Sequence, residues 1–280
     1  MEGTVILSRS DLHRLANRQK VALGVLEKDY VLTEVLKSLS QLPELNGLFA
    51  FKGGTALRKT YFPDWRYSED LDFTVTRNMT KEELRQILDT WYRQVEQSSR
   101  ILLTTRMLHK PDGYARVRIQ FVSSLAYPAM IYMDLSFDEP LCLEPQSRKV
   151  LSAPFPDEDR SVRVYPLEEL MAEKMRSLVE RGKSRDYYDV WRLLKEQRSR
   201  MDLELLGTVL AKKLKHKGLR VTTAADFLPE SPAAIKGYWE KDLSQQVVTL
   251  LPFDDVLKEL QQMLDSYVAP YLRLQADNPL

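Results

Sequence analysis

Apolar residues recur at helical spacing through the first forty positions. Val25, Leu26, Val31, Leu32, Val35, Leu36 and Leu39 mark residues 9–40 as a helical N-terminal segment. The pattern then shortens. Leu48–Phe51 is a brief apolar run that stops at Gly53 and Gly54, and Thr55–Phe62 resumes a helical rhythm, which predicts strand, glycine turn and helix in succession. Asp70–Val75 alternates polar and apolar residues as a half-buried strand does, and Thr80 with Glu83 forms a T-x-x-E capping box opening a helix to about Gln97. Three more alternating segments, 101–108, 114–122 and 130–137, are separated by Pro111-Asp112-Gly113 and by Pro128, and predict a mostly antiparallel sheet. Beyond the proline-rich stretch 154–166 the period is helical, with segments expected at 167–181, 185–197, 202–217, 235–250 and 254–272. The fold class is therefore α/β (α+β): a mixed sheet flanked by helices in a domain spanning 1–155, then a helical domain spanning 156–280.

The candidate chemistry lies in Lys52–Val75. Side chains two apart on a strand share a face, so Asp70 and Asp72 point together while Leu71 and Phe73 face the core. Paired carboxylates offer hard oxygen ligands to Mg²⁺ or Mn²⁺, which is commonly held by one or two acids plus substrate phosphates. Asp134 interrupts the apolar strand MIYMDLSF, and a half-buried acid needs a partner or a metal, so it joins them as a third metal candidate. Gly53 and Gly54 permit close backbone approach, and amides at the start of the following helix can receive phosphate oxygens. Thr55 and Ser68 add hydroxyls, and Lys52 is counted with this nucleotide-binding set.

A second group lies in the helical part. Lys174 sits mid-helix beside Leu170, Met171 and Leu178, where its ammonium can neutralise charge on a leaving triphosphate. Ser184 is placed to cap the next helix, on which Arg185, Asp186 and Asp189 lie within one turn. Arg185 is a further nucleotide-binding candidate, and a solvated ion pair on the helix surface is the competing reading of this group.

Composition adds boundaries. The 280 residues are 44% hydrophobic and 29% charged, with 41 Lys+Arg against 40 Asp+Glu, so any nucleic-acid surface must be local. Two patches qualify: Arg116 and Arg118 on one strand face, and Lys212, Lys213, Lys215 and Lys217 in a dense basic run. That run also reads as a solvated helix end. A lone cysteine, Cys142, favours a reducing compartment, and no export signal or apolar run of roughly 18 residues appears, which points to the cytoplasm without membrane insertion.

The segments KGGTALRK (52–59), SEDLDF (68–73), Asp134, EKMRSLVERGKSRDYYDVW (173–191) and LEKDYVLTEVL (26–36) resemble the AbiEii/AbiGii family of nucleotidyltransferase toxins, which includes the MenT type. The likeness runs from about residue 26 to 195. It implies a nucleotidyltransferase fold and a toxin, encoded near a cognate antitoxin, that uses an NTP and Mg²⁺ to modify RNA, in the MenT branch at the 3′ acceptor end of tRNA. It further implies that Asp70 and Asp72 bind metal, that Gly53, Thr55 and Ser68 hold triphosphate, and that Lys174 and Asp189 complete the site, with Asp186 competing for the latter role. The rival readings are transfer to a small-molecule or protein hydroxyl, and a catalytically idle module that senses nucleotides.

Overall fold

A computed structural model describes residues 6–155 and 158–276, the last four by backbone alone. Met1–Val5, where the sequence was read for an export signal, and Pro156 and Asp157 of the predicted linker lie outside the described residues. The chain forms two compact units, residues 1–139 with 145–165, and residues 140–144 with 166–280. The first unit thus runs through to Tyr165, ten residues past the boundary drawn from the sequence.

In the first unit, helices α1 (Arg9–Gln19), α2 (Leu23–Ser40) and α3 (Pro43–Leu48) precede strand β1 (Phe49–Lys52). A short helix α4 (Gly53–Ala56) continues as a π-helical turn over Leu57–Tyr61, and then come β2 (Asp70–Val75), α5 (Lys81–Ser99), β3 (Leu102–His109), β4 (Tyr114–Val122), β5 (Ala129–Ser136), β6 (Gln146–Lys149) and β7 (Ser161–Val164). The seven strands form one mixed sheet in the order β3-β4-β5-β2-β1-β7-β6. β2 runs parallel to β5 and β1 parallel to β7, and the other neighbours are antiparallel. The parallel β2–β5 pair follows from topology: α5 and the β3–β4 hairpin intervene, so the chain returns beside β2 in its original direction. β6 and β7 went unread because each is four residues long and β6 is largely exposed, leaving too little alternation to register.

Alternation sorts the sheet into two faces. Phe49, Phe51, Leu71, Phe73, Met133, Leu135, Val117 and Ile119 are buried on one face. Trp91 of α5 packs there, its ring 5.6 Å from Phe49 and 5.9 Å from Phe73. Its indole N–H donates to Val35 O and Ser38 Oγ at 3.0 Å, which fastens α5 to α2. Removing that side chain would cost about 3–5 kcal/mol. The opposite face carries the polar members of the same strands. Thr80 caps α5 by accepting from Glu83 N, but the Glu83 carboxylate pairs with Arg77, so the predicted capping box is only half formed.

In the second unit, α6 (Leu167–Glu180), α7 (Ser184–Gln197), α8 (Leu203–His216), α9 (Pro232–Leu243), α10 (Phe253–Tyr267) and α11 (Ala269–Ala276) build a helical bundle. Its aromatic core includes Trp239, whose ring lies 5.0 Å from Phe253 and 6.3 Å from Tyr188. Residues 140–144 join this unit through buried Glu169, which accepts from the backbone N–H groups of Cys142 and Leu143, both at 2.9 Å. Lys213 completes that knot. It is wholly buried, lies 2.9 Å from Glu169 and 3.2 Å from Glu173, and donates to Pro140 O at 2.6 Å. The expectation that Lys213 belongs to a basic RNA-facing run is therefore wrong: it lies on the apolar side of α8, where two carboxylates compensate its charge. Lys212, Lys215 and Lys217 are exposed.

Candidate active site

The polar sheet face brings the predicted acids and the glycine turn of the first unit together. Lys52 of β1 is in register with Asp72 of β2, and Asp72 with Asp134 of β5, so all three share one face. Gly53 has φ +80°, in the left-handed region, and a Cβ placed on it would stand 2.2 Å from Asp72 Oδ2. The Asp72 carboxylate thus lies directly against the turn, which no side chain other than hydrogen permits. Gly54 is less tightly confined: an added Cβ would meet an Nη of Arg66 at 2.7 Å and Ser68 Oγ at 3.4 Å. Ser68 is consequently brought to the turn, as the sequence suggested. Arg66, buried within Trp65-Arg66-Tyr67, was missed because an arginine between aromatics gives no spacing signal.

Thr55 behaves differently from expectation. Its hydroxyl donates to the carbonyl of Asp70, so it fastens the turn to β2 and has no proton left for a phosphate. The N–H groups of the first turn of α4 are the donors that helix geometry leaves without intrahelical acceptors. Lys52 is buried, donates to Ser136 Oγ at 3.3 Å and lies 5.8 Å from the Tyr165 ring centre.

Among the described residues no group of three or more His, Cys, Asp or Glu side chains is gathered to hold a metal ion. Asp70, Asp72 and Asp134 nonetheless share one face of neighbouring strands. Asp134 Oδ1 accepts from the Tyr114 hydroxyl and lies 3.7 Å from Arg116 Nε, so its carboxylate is engaged by β4. Burial, and then the adjacent Asp134, push the Tyr114 phenol well above its usual range and keep it a proton donor. Asp70 and Asp72 form a two-carboxylate pair on one strand face, beside a turn that a Cβ would fill. That donor set fits a Mg²⁺ ion which takes its other ligands from phosphates and water.

The second unit holds the other predicted group. Lys174 Nζ lies 2.8 Å from Asp189 Oδ2 and 3.6 Å from Asp186 Oδ1, and both acids are buried, so a solvated surface pair is excluded. Arg181, unread in the sequence, grips Asp186 with two bonds of 2.9 and 3.0 Å. Burial works to raise the Asp186 carboxyl, but Lys174 and Arg181 outweigh it and bring the group below its ordinary range. Ser184 is the first residue of α7 rather than its cap; Lys183 occupies the cap, and Ser184 Oγ is buried without a hydrogen-bond partner. Arg185 is half-exposed on the same turn.

The model of a known family, described as the nucleotidyl transferase AbiEii toxin of type IV toxin–antitoxin systems, matches residues 34–259. The chain belongs to the AbiEii family. It is accordingly a nucleotidyltransferase of the toxin–antitoxin type, and the match extends into the first half of α10, well past residue 195 where the sequence likeness ended. Two solved structures are similar in fold. MenT4, a nucleotidyltransferase toxin from Mycobacterium tuberculosis, is 18% identical with a TM-score of 0.69, over 98% of this chain and 94% of that one. A protein assigned as a nucleotidyltransferase from H. pylori is 17% identical with a TM-score of 0.58, over 91% of this chain and 99% of that one. No curated protein matches.

The basic candidates separate by exposure. Arg116 and Arg118 are exposed on the acid-bearing sheet face, and the Arg116 guanidinium lies 4.9 Å over the Tyr132 ring. No described helix is long and apolar enough to cross a membrane.

Proposed function

We propose that this AbiEii toxin transfers a nucleoside monophosphate from an NTP to RNA, at the 3′ acceptor end of tRNA, and is neutralised by an antitoxin encoded nearby. The carrying observation is the Asp72 carboxylate seated on the left-handed Gly53 turn, with Ser68 and Arg66 against Gly54. Such a corner sets backbone donors, a cation and an acid pair around one small volume, as a bound triphosphate requires. The acceptor assignment rests on the MenT resemblance and on the exposed arginines of β4.

A divalent ion, Mg²⁺ or Mn²⁺, held by Asp70 and Asp72 would neutralise triphosphate charge during transfer. The acceptor hydroxyl oxygen attacks the α-phosphorus, its proton passes to Asp134, and the bond from α-phosphorus to the bridging oxygen breaks, releasing pyrophosphate. Arg66 and the turn amides hold the phosphate oxygens. In the helical unit Lys174, paired with Asp189 at 2.8 Å, is the residue to which the family resemblance gives charge stabilisation during transfer. The test is incubation with each α-labelled NTP, Mg²⁺ and total tRNA: label in RNA supports the reading, and label only on protein or small molecules defeats the RNA assignment.

A further inference from the structure

The helical motif at 26–36 and the glycine motif at 52–59 meet in a buried charge cluster that the transfer chemistry leaves unused. Asp29 of α2, 1% exposed, accepts from Arg58 Nε at 3.0 Å and forms an ion pair with Lys59 Nζ at 2.8 Å, both through Oδ1. Both cations come from the π-helical turn and are buried, and Asp29 Oδ2 makes no hydrogen bond. Burial draws the Lys59 ammonium down to about 8. A cluster carrying such desolvation costs is poor value as a source of stability alone.

Arg58 reaches further than its ion pair. Its Nη1 donates to the carbonyls of Pro63, at 3.0 Å, and Trp65, and its guanidinium lies 3.8 Å over the Tyr67 ring. One side chain therefore fastens α2, through Asp29, to the loop that returns from the π-helical turn to β2. Gly53, Gly54 and Thr55 stand at the start of this excursion and Arg66, Ser68 and Asp70 at its end, and the Thr55 hydroxyl joins the two ends at the Asp70 carbonyl. A second tie, Lys28 of α2 to Glu69, reinforces the same link.

We infer that Arg58, anchored by Asp29, is a positioning residue for the triphosphate corner: it fixes the Pro63–Tyr67 return so that Arg66 and Ser68 stand against Gly54. This rests on the nucleotide-binding reading above. The role needs a guanidinium, because one planar fork serves a carboxylate, two carbonyls and an aromatic face at once, whereas a lysine ammonium cannot span them.

The test uses the full chain with Arg58→Lys, and Trp239→Phe as a core variant of the helical unit. Binding of ATP, CTP, GTP and UTP with Mg²⁺ identifies the nucleotide the wild type takes. Arg58→Lys is expected to weaken its binding by about tenfold or more, with kcat at saturating nucleotide changed less than about threefold. Amide hydrogen exchange should quicken across residues 53–70, and Trp239→Phe should change neither reading. If Arg58→Lys does not fold, Asp29→Asn, which keeps the side-chain shape and removes the anchoring charge, carries the same expectation. Nucleotide binding within about twofold of wild type, or unchanged exchange over 53–70, overturns the inference. A wild type that binds no nucleotide defeats the proposed function, while the exchange measurement still decides whether Arg58 orders the loop.

Discussion

Replacing Gly53 with alanine tests the corner with the smallest change a side chain allows. The added Cβ would stand 2.2 Å from Asp72 Oδ2 and 2.9 Å from its Cγ, while ordinary contact begins at 3.4 Å. The carboxylate must therefore retreat by about 1.2 Å, the difference between the first and last of these distances. The backbone adds a second cost, since φ +80° strains any L-residue by about 1–2 kcal/mol. That strain is small beside a typical stability of about 5–15 kcal/mol, so the variant should fold. A reacting group misplaced by about 1 Å loses about a hundredfold in rate, equivalent to about 2.7 kcal/mol of transition-state stabilisation. Labelled-NTP transfer gives kcat/KM, and urea unfolding measures stability on the same preparations. Gly24→Ala is the control, because nothing lies within 4 Å of a Cβ added there. If Gly53→Ala kept kcat/KM within about threefold of wild type, the claim that Asp72 works from its seat on this turn would be refuted.

Three further outcomes follow from the ionised groups. Lys213→Met leaves Glu169 and Glu173 buried without their cation, and should cost about 3–5 kcal/mol in urea unfolding; an unchanged midpoint would contradict the core assignment of Lys213. Simultaneous replacement of exposed Lys212, Lys215 and Lys217 by serine should alter stability by less than about 1 kcal/mol, measured the same way. Asp186 has a folded pKa held below its unfolded value, so its contribution is complete above about pH 4 and is lost as pH falls through the folded pKa. Stability measured on the acid limb should thus fall more steeply for wild type than for Asp186→Asn, and parallel curves would contradict the pairing with Lys174 and Arg181.

Much of this geometry was legible along the chain. Period-two alternation marked β2, β4 and β5, because each has one face in the core and one in polar surroundings, and it placed Asp70, Asp72 and Asp134 on the polar face. The glycine pair was readable because only hydrogen fits where Asp72 and Arg66 press on the backbone. Residues separated by long stretches of chain were not readable. Arg181 gave no signal and Lys213 looked like part of a basic run, yet both are defined by acids from other turns or helices. Asp134 could be assigned a face but not a partner, since the Tyr114 hydroxyl reaches it from the neighbouring β4. The hydroxyl of Thr55 similarly turned inward to a carbonyl fifteen residues on.

The central claim is nucleotidyl transfer, and the most direct measurement follows both ends of one NTP. With α-label and γ-label carried in parallel, the account predicts α-label in the acceptor, γ-label only in pyrophosphate in equal amount, and loss of both with Asp72→Asn. Label from the γ-position in the acceptor, or transfer undiminished by Asp72→Asn, would contradict it.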